Sequence, residues 1–225
     1  MESSIPYFEK LMIDYTLDGD QTLHAACGKI GLPVEEAIIA LAKIAAAESP
    51  GLNWEAKPLA DLSNYIVREH HAYTRIQIAK INVLLREAAL VHGFSNPQLL
   101  MLKNLFLEMG GETRSHMSRE EEMLFPYLAH REKAEEDHQA LPNPFAESPF
   151  FRQPARILQW EHRMTGEEWV QVRMLTDNYR LHEKAGEDLR KLYLALEELE
   201  MDLRRHVHLE NNILFKRAVE KGWVL

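Results

Sequence analysis

Apolar residues recur along this chain at helical spacing, and alternation with a period of two is nearly absent. Leu59 to about His92 carries Leu62, Ile66, Tyr73, Ile76, Ala79 and Val83 close to one stripe, which predicts a first long helix. Gly93 and Asn96-Pro97 break it. A second helix is expected from Pro97 to about Asp137, disturbed at Gly110-Gly111 and at Pro126. Three prolines make Leu141 to Pro149 a loop. Pro154 to about Leu181 reads as a third helix, and about Glu183 to Glu220 as a fourth that ends near Gly222. Four long helices joined by short breaks predict an antiparallel four-helix bundle.

The first fifty or so residues read differently, as short helices. Pro33 marks a helix start and Val34 to Ala47 is rich in good helix formers. Asp14 to Asp20 is a turn containing Gly19, and Glu48 to Pro58 reads as a linker. The expected organisation is a small helical N-terminal domain over 1–53 and a bundle over 54–225.

At 225 residues the chain can bury one sizeable core, and 46% hydrophobic with 27% charged residues is ordinary for a globular protein. A net charge of -9, with no basic stripe, argues against nucleic acid as a partner. One cysteine, Cys27, precludes an internal disulfide framework and fits a reducing compartment. The N-terminus lacks the features of a signal peptide, and no apolar run approaches the roughly 20 residues that span a bilayer. No membrane partner and a cytoplasmic location are expected.

The phrase His-x-x-x-Glu-x-x-x-Leu-Phe changes the picture, because it occurs twice. One copy is His116, Glu120, Leu124 and Phe125, the other His206, Glu210, Leu214 and Phe215. Four residues are little more than one helical turn, so each imidazole and its carboxylate share a helix face. A single such pair is usually an exposed polar pair. Two copies on separate helices, each followed by Leu-Phe that would seat the same face in a core, point to two halves of one metal site. The first and third helices offer His70 and His162 at plausible core-facing positions. Four imidazoles and two carboxylates suit two metal ions bridged by the carboxylates, with iron, manganese or zinc favoured. Ferritin-like sites use Glu-x-x-His instead; Glu135 to His138, its one occurrence here, lies in a charge run and reads as a solvated helix end. His71, His92, His130 and His182 are expected to be solvated, and His208 to point away from the ligand face.

The pattern resembles hemerythrin-like domains, and in particular the iron–sulfur cluster repair di-iron proteins, the repair-of-iron-centres family. The resemblance spans most of the chain. It rests on Ile66 to His70, Ser115 to Pro126, Trp160-Glu161-His162 followed by Gly166, and His206 to Ala218. Gly166 stands one turn after His162, where oxygen-carrying hemerythrins place a further histidine, so one imidazole is absent. The resemblance implies His70, His116, Glu120, His162, His206 and Glu210 as ligands of two iron ions. Glu120 and Glu210 would bridge them together with an oxo or hydroxo group, and Glu112 and Glu161 would stand close by. It also implies the small N-terminal domain. That domain's turn reads Asp-Tyr-Cys-Cys-Gly-Gly in the family; here Asp14, Tyr15, Gly19 and Gln21-Thr22-Leu23 remain, while Thr16 and Leu17 replace the cysteines.

The function so implied is repair of iron–sulfur clusters damaged by nitric oxide or oxidative stress, by supplying iron or capturing NO, rather than conventional enzymatic turnover. Apo or damaged iron–sulfur proteins and the small ligands NO or O2 are the expected partners, with a homodimer as a candidate assembly. The competing reading is a hemerythrin-like module that binds O2 or NO reversibly and signals. A zinc hydrolase is a weaker third, since no His-Glu-x-x-His pattern is present.

Overall fold

A computed structural model describes residues 4–11, 13–17, 19, 21–47, 53–139, 154–181 and 186–224. The expected loop Leu141 to Pro149 lies outside them, as do His182, Glu183 and residues 48–52 of the expected linker. Among the described residues the chain is helical without strands.

Three short helices come first: α1 (Ile5–Lys10), α2 (Leu23–Lys29) and α3 (Val34–Ala47). Thr22 caps α2 by accepting the Ala25 amide on its hydroxyl. Four rods follow. The first joins α4 (Leu59–Tyr65), a π-helical segment (Ile66–His71) and α5 (Ala72–His92). The second joins α6 (Gln98–Arg119), a π segment (Glu120–Leu124) and α7 (Phe125–Glu136). The third is α8 (Pro154–Leu175) alone. The fourth joins α9 (Glu187–Leu209), a π segment (Glu210–Phe215) and α10 (Lys216–Glu220).

Neighbouring rods run antiparallel, as the pairs between them show. Arg75 meets Glu121 while Ile78 lies against Gly110; His70 meets Asp202 while His92 bonds Asp188; Phe106 packs on Trp169 while His116 meets His162. Remote parts of the chain fix the rod ends. Glu132 accepts the backbone amides of Leu59 and Ala60, satisfying two of the donors that begin the first rod.

Gly110 does not disturb its helix. A Cβ there would come within 2.8 Å of Ile78 Cγ2, so glycine lets α5 and α6 approach closely. The irregularity sits further on, at Glu120–Leu124, ahead of Pro126, which has no amide to offer the preceding turn. The third rod stops at Leu175, short of the expected Leu181, because Asp177, Asn178 and Tyr179 turn left-handed at φ 49°, 54° and 60°.

Two apolar clusters fill the bundle. One gathers Trp54, Leu59, Ile66, Leu124, Phe125, Leu158, Leu214 and Phe215; the other gathers Ile78, Ile81, Phe106, Trp169, Leu196 and Leu203. Between them, in every rod, lies a layer of buried polar residues: His71 and Thr74, His116 and Glu120, His162, His206 and Glu210. All three π segments begin or end in that layer.

Candidate metal centre

A buried polar layer between two apolar clusters needs a physical justification, because desolvated charge without a partner is costly. Here the donors converge. Glu120 is fully buried, and neither of its oxygens finds a hydrogen-bond donor; Glu210 Oε2 is in the same position. His71 Nε2 and His206 Nε2 approach to 3.0 Å, and His116 Nε2 and His162 Nε2 to 2.9 Å. Two imidazole lone pairs do not attract each other at such distances. A shared proton or a cation between them does what neither ring can.

The donors form two groups, His71, Glu120, His206 and Glu210, and His116, Glu120, His162 and Glu210, each with its donor atoms within 4.8 Å of one another. Each carboxylate splits its oxygens between the groups. Glu120 Oε2 faces His71 at 3.5 Å while Oε1 faces His116 at 3.2 Å. Glu210 Oε1 faces His206 at 2.7 Å while Oε2 faces His162 at 3.2 Å. Nitrogen and oxygen donors without sulfur fit a cation such as iron, manganese or zinc.

The rings are oriented from behind. His116 Nδ1 donates to Glu161 at 2.7 Å, and Arg119 holds that carboxylate from its other side at 2.5 Å. His71 Nδ1 donates to Glu121 at 2.6 Å, itself gripped by both terminal nitrogens of Arg75. His162 Nδ1 donates to Asn211 Oδ1 at 2.9 Å. Each of these bonds engages Nδ1 and aims Nε2 inward, the nitrogen that holds the lone pair once the ring is neutral.

Protonation follows the same geometry. Burial pushes the His116 pKa down, but the nearby Glu120 charge and the hydrogen bond to Glu161 outweigh it and hold it up at about 10. Burial pushes Glu161 up, yet His116 and Arg119 bring it down to about 2. His206 is lowered by burial against the pull of Glu210. A cation and a proton compete for the same nitrogens, so metal uptake here is coupled to proton release.

Of the expected ligands, His116, Glu120, His162, His206 and Glu210 come together. His70 does not join them. Its Nδ1 bonds Asp202 at 3.0 Å and its ring stacks on His206 with centroids 5.8 Å apart, outside both donor groups. His71, expected to be solvated, is fully buried and takes the place assigned to His70. The reason is the π turn from Ile66 to His71: five residues rather than four return the chain to the buried face. The same slip displaces the rest of the expected stripe, since Ile76 and Val83 are exposed while Thr74, Ile78, Ile81 and Leu85 are buried. A signal was present, because Thr74, Ile78, Ile81, Leu85 and Ala88 step back to 71 and not to 70; the polar Thr74 obscured it.

Glu161 stands where it was expected. Glu112 is exposed, and its charge acts on Glu168. Glu121 was missed, as the middle of three consecutive glutamates. His208 lies outside both groups, against the Tyr15 ring. His92 pairs with Asp188 at 2.6 Å, while His130 is exposed. Cys27 is buried in the N-terminal unit.

Residues 62–218 match the family described as the hemerythrin HHE cation binding domain. The chain belongs to that family. The HHE match contains both donor groups in full. Similarity to curated proteins extends beyond the HHE domain. An iron-sulfur cluster repair protein YtfE from Pectobacterium atrosepticum is 32% identical over 94% of this chain and 89% of its own length. Proteins of the same name from Musicola paradisiaca and Yersinia pseudotuberculosis are 30% and 27% identical over the same shares. No helix among the described residues is long and apolar enough to cross a membrane.

Proposed function

We propose that this chain is a non-haem di-iron protein that serves the repair of iron–sulfur clusters damaged by nitric oxide or oxidation. One observation carries the iron-pair reading: Glu120 turns one oxygen to His71 and the other to His116, and Glu210 turns one to His206 and the other to His162. The proposed ligands are therefore His71, His116, Glu120, His162, His206 and Glu210. The assignment to cluster repair comes from the relatives named iron-sulfur cluster repair protein.

When bound, the iron pair would supply redox-active cations able to capture NO or O2, or to be given up to a damaged cluster. The protein's own part is to hold, orient and discharge. Glu161, Glu121 and Asn211 fix three imidazoles with their inner nitrogens aimed at the centre. Arg119 and Arg75 keep the two orienting carboxylates ionised. Four neutral imidazoles and two carboxylates would leave a net positive charge on a bound cation pair, so its retention would be sensitive to oxidation state.

Elemental analysis of the chain after anaerobic loading with ferrous iron tests the reading, followed by incubation with an apo iron–sulfur protein. About two irons per chain, passed to the acceptor, are the expected result. Zinc in preference to iron, or no metal in a folded chain, would overturn it.

A sensory reading draws support from one observation. Thr16 and Leu17 carry no thiol, yet Thr16 is tied to His162 through Asn211, which gives the N-terminal unit a contact with the centre. Iron that stays bound while only the gas exchanges would favour that reading.

A further inference from the structure

The first rod is apolar on two opposite faces. Thr74, Ile78, Ile81 and Leu85 look into the bundle, while Ile76, Val83 and Leu90 look out of it and are 66%, 41% and 82% exposed. Seven residues fall short of two full helical turns by only about 20°, so these three side chains form one nearly straight outer line. Gly93 keeps a helical backbone, and Phe94 extends the line fully exposed. From Ile76 to Phe94 the line is about 27 Å long, at about 1.5 Å per residue.

A helix on the surface of a bundle ordinarily turns one apolar stripe inward and a polar face outward. α5 turns apolar side chains both ways, and nothing among the described residues covers the outer set. The rods beside it are the second and fourth, which leaves α8 diagonally across the bundle. The N-terminal unit packs on the third and fourth rods, with Leu17 against Gly166 and Asn212 bonded to the Tyr15 carbonyl. The outer face of α5 therefore points away from that unit.

This face is complementary to itself. A two-fold axis through Val83, perpendicular to α5, sets an antiparallel copy of the helix against the first, so that residues equidistant from Val83 meet. Ile76 and Leu90 lie seven residues to either side of it, so each meets the other across the axis, and Val83 meets Val83. Lys80 and Glu87 lie three residues before and four after, on one flank of the line, so Lys80 of each copy stands opposite Glu87 of the other. Both are exposed, and neither is paired within the chain among the described residues. A parallel pairing in register would instead set Lys80 against Lys80 and Glu87 against Glu87.

We propose that the outer face of α5 is a self-association surface, on which a second copy of this chain docks its own α5 antiparallel about a two-fold axis at Val83. The inference goes beyond the metal-centre reading and does not depend on it. Burial of the apolar line supplies the attraction. The Lys80–Glu87 pairs set direction and register, because exposed ion pairs add little energy while like charges face to face oppose docking. One helix laid on one helix buries less than a standard interface, so dimer and monomer exchange with concentration.

Sedimentation velocity of the full apo chain, over about 1–200 μM to bracket a weak dissociation constant, tests this. Wild type should pass from monomer to dimer across the range. Val83→Glu, which sets two carboxylates against each other on the axis, should stay monomeric. Lys80→Glu and Glu87→Lys should each weaken the dimer about tenfold, since two attractive pairs become two repulsive ones. The double variant Lys80→Glu/Glu87→Lys should recover wild-type association. All the altered side chains are exposed, and circular dichroism checks that each variant keeps its helices. A wild-type chain that stays monomeric throughout would overturn the proposal. A dimer that survives Val83→Glu would put the contact on another surface and overturn it as well. A double variant no better than the single ones would overturn the antiparallel pairing on which the proposal stands.

Discussion

Ile66 and His71 are five residues apart and lie on the same fully buried line of one helix. An ordinary helix would return to that line after three or four residues. The extra residue turns His71 into the centre and leaves His70 beside Asp202, so the two adjacent histidines should behave differently. His71→Ala should lower bound metal per chain by removing a donor from one of the two groups. His70→Ala should lower it far less. Metal analysis of both variants after identical loading checks this, and equal losses would mean that the π turn does not select the ligand.

Glu120 makes a second point about the same layer. Its charge lies 3.2 Å from His116 Nε2 and holds that imidazole's pKa up at about 10. Glu120→Leu takes the counter-charge from a buried imidazolium, so the apo chain should lose stability at neutral pH, by up to about 3–5 kcal/mol on the scale seen when one partner of a buried charge pair is removed, and its metal content should fall. Thermal melts of the apo proteins and metal analysis after identical loading check both. An apo melting temperature in the variant equal to or above that of wild type would contradict the argument.

Glu161 orients His116 without belonging to either donor group. Losing such an orienting partner typically weakens metal binding by about 10–100-fold, and Glu161→Ala should fall in that range by competition with a chelator. Glu112→Ala should not, because that carboxylate is exposed and acts on Glu168 instead. His208→Ala likewise should retain its metal.

Glu168 gives a pH dependence that involves no metal ligand. Burial, with the charges of Glu112 and Glu108, raises its pKa from 4.5 to about 7. The folded chain then binds more protons than the unfolded one between those values, so this group makes stability fall as pH rises from about 4.5 to about 7. Its partial exposure softens the effect. Glu168→Gln should raise the melting temperature at pH 8 and leave it nearly unchanged at pH 4.5. A variant no more stable than wild type at pH 8 would remove Glu168 from the account.

Five of the six residues that converge were legible in the sequence, for a local reason. His116 with Glu120, and His206 with Glu210, each sit one ordinary helical turn apart, before the π segments begin to shift the register. His162 stands on α8, the one rod without a π segment, where simple periodicity holds. His71 stands at the end of a π segment, and there the same periodicity selects its neighbour.

The helices, their grouping into a bundle and the pairing of imidazole with carboxylate follow from sequence, because each depends on residues within a turn or two of one another. Only the tertiary structure decided which oxygen of Glu120 and Glu210 faces which imidazole, and that Glu121 and Asn211 stand behind two of the rings. It also set Leu17 against Gly166 across 149 positions of chain. Those relationships belong to surfaces brought together by packing, and no local spacing encodes them.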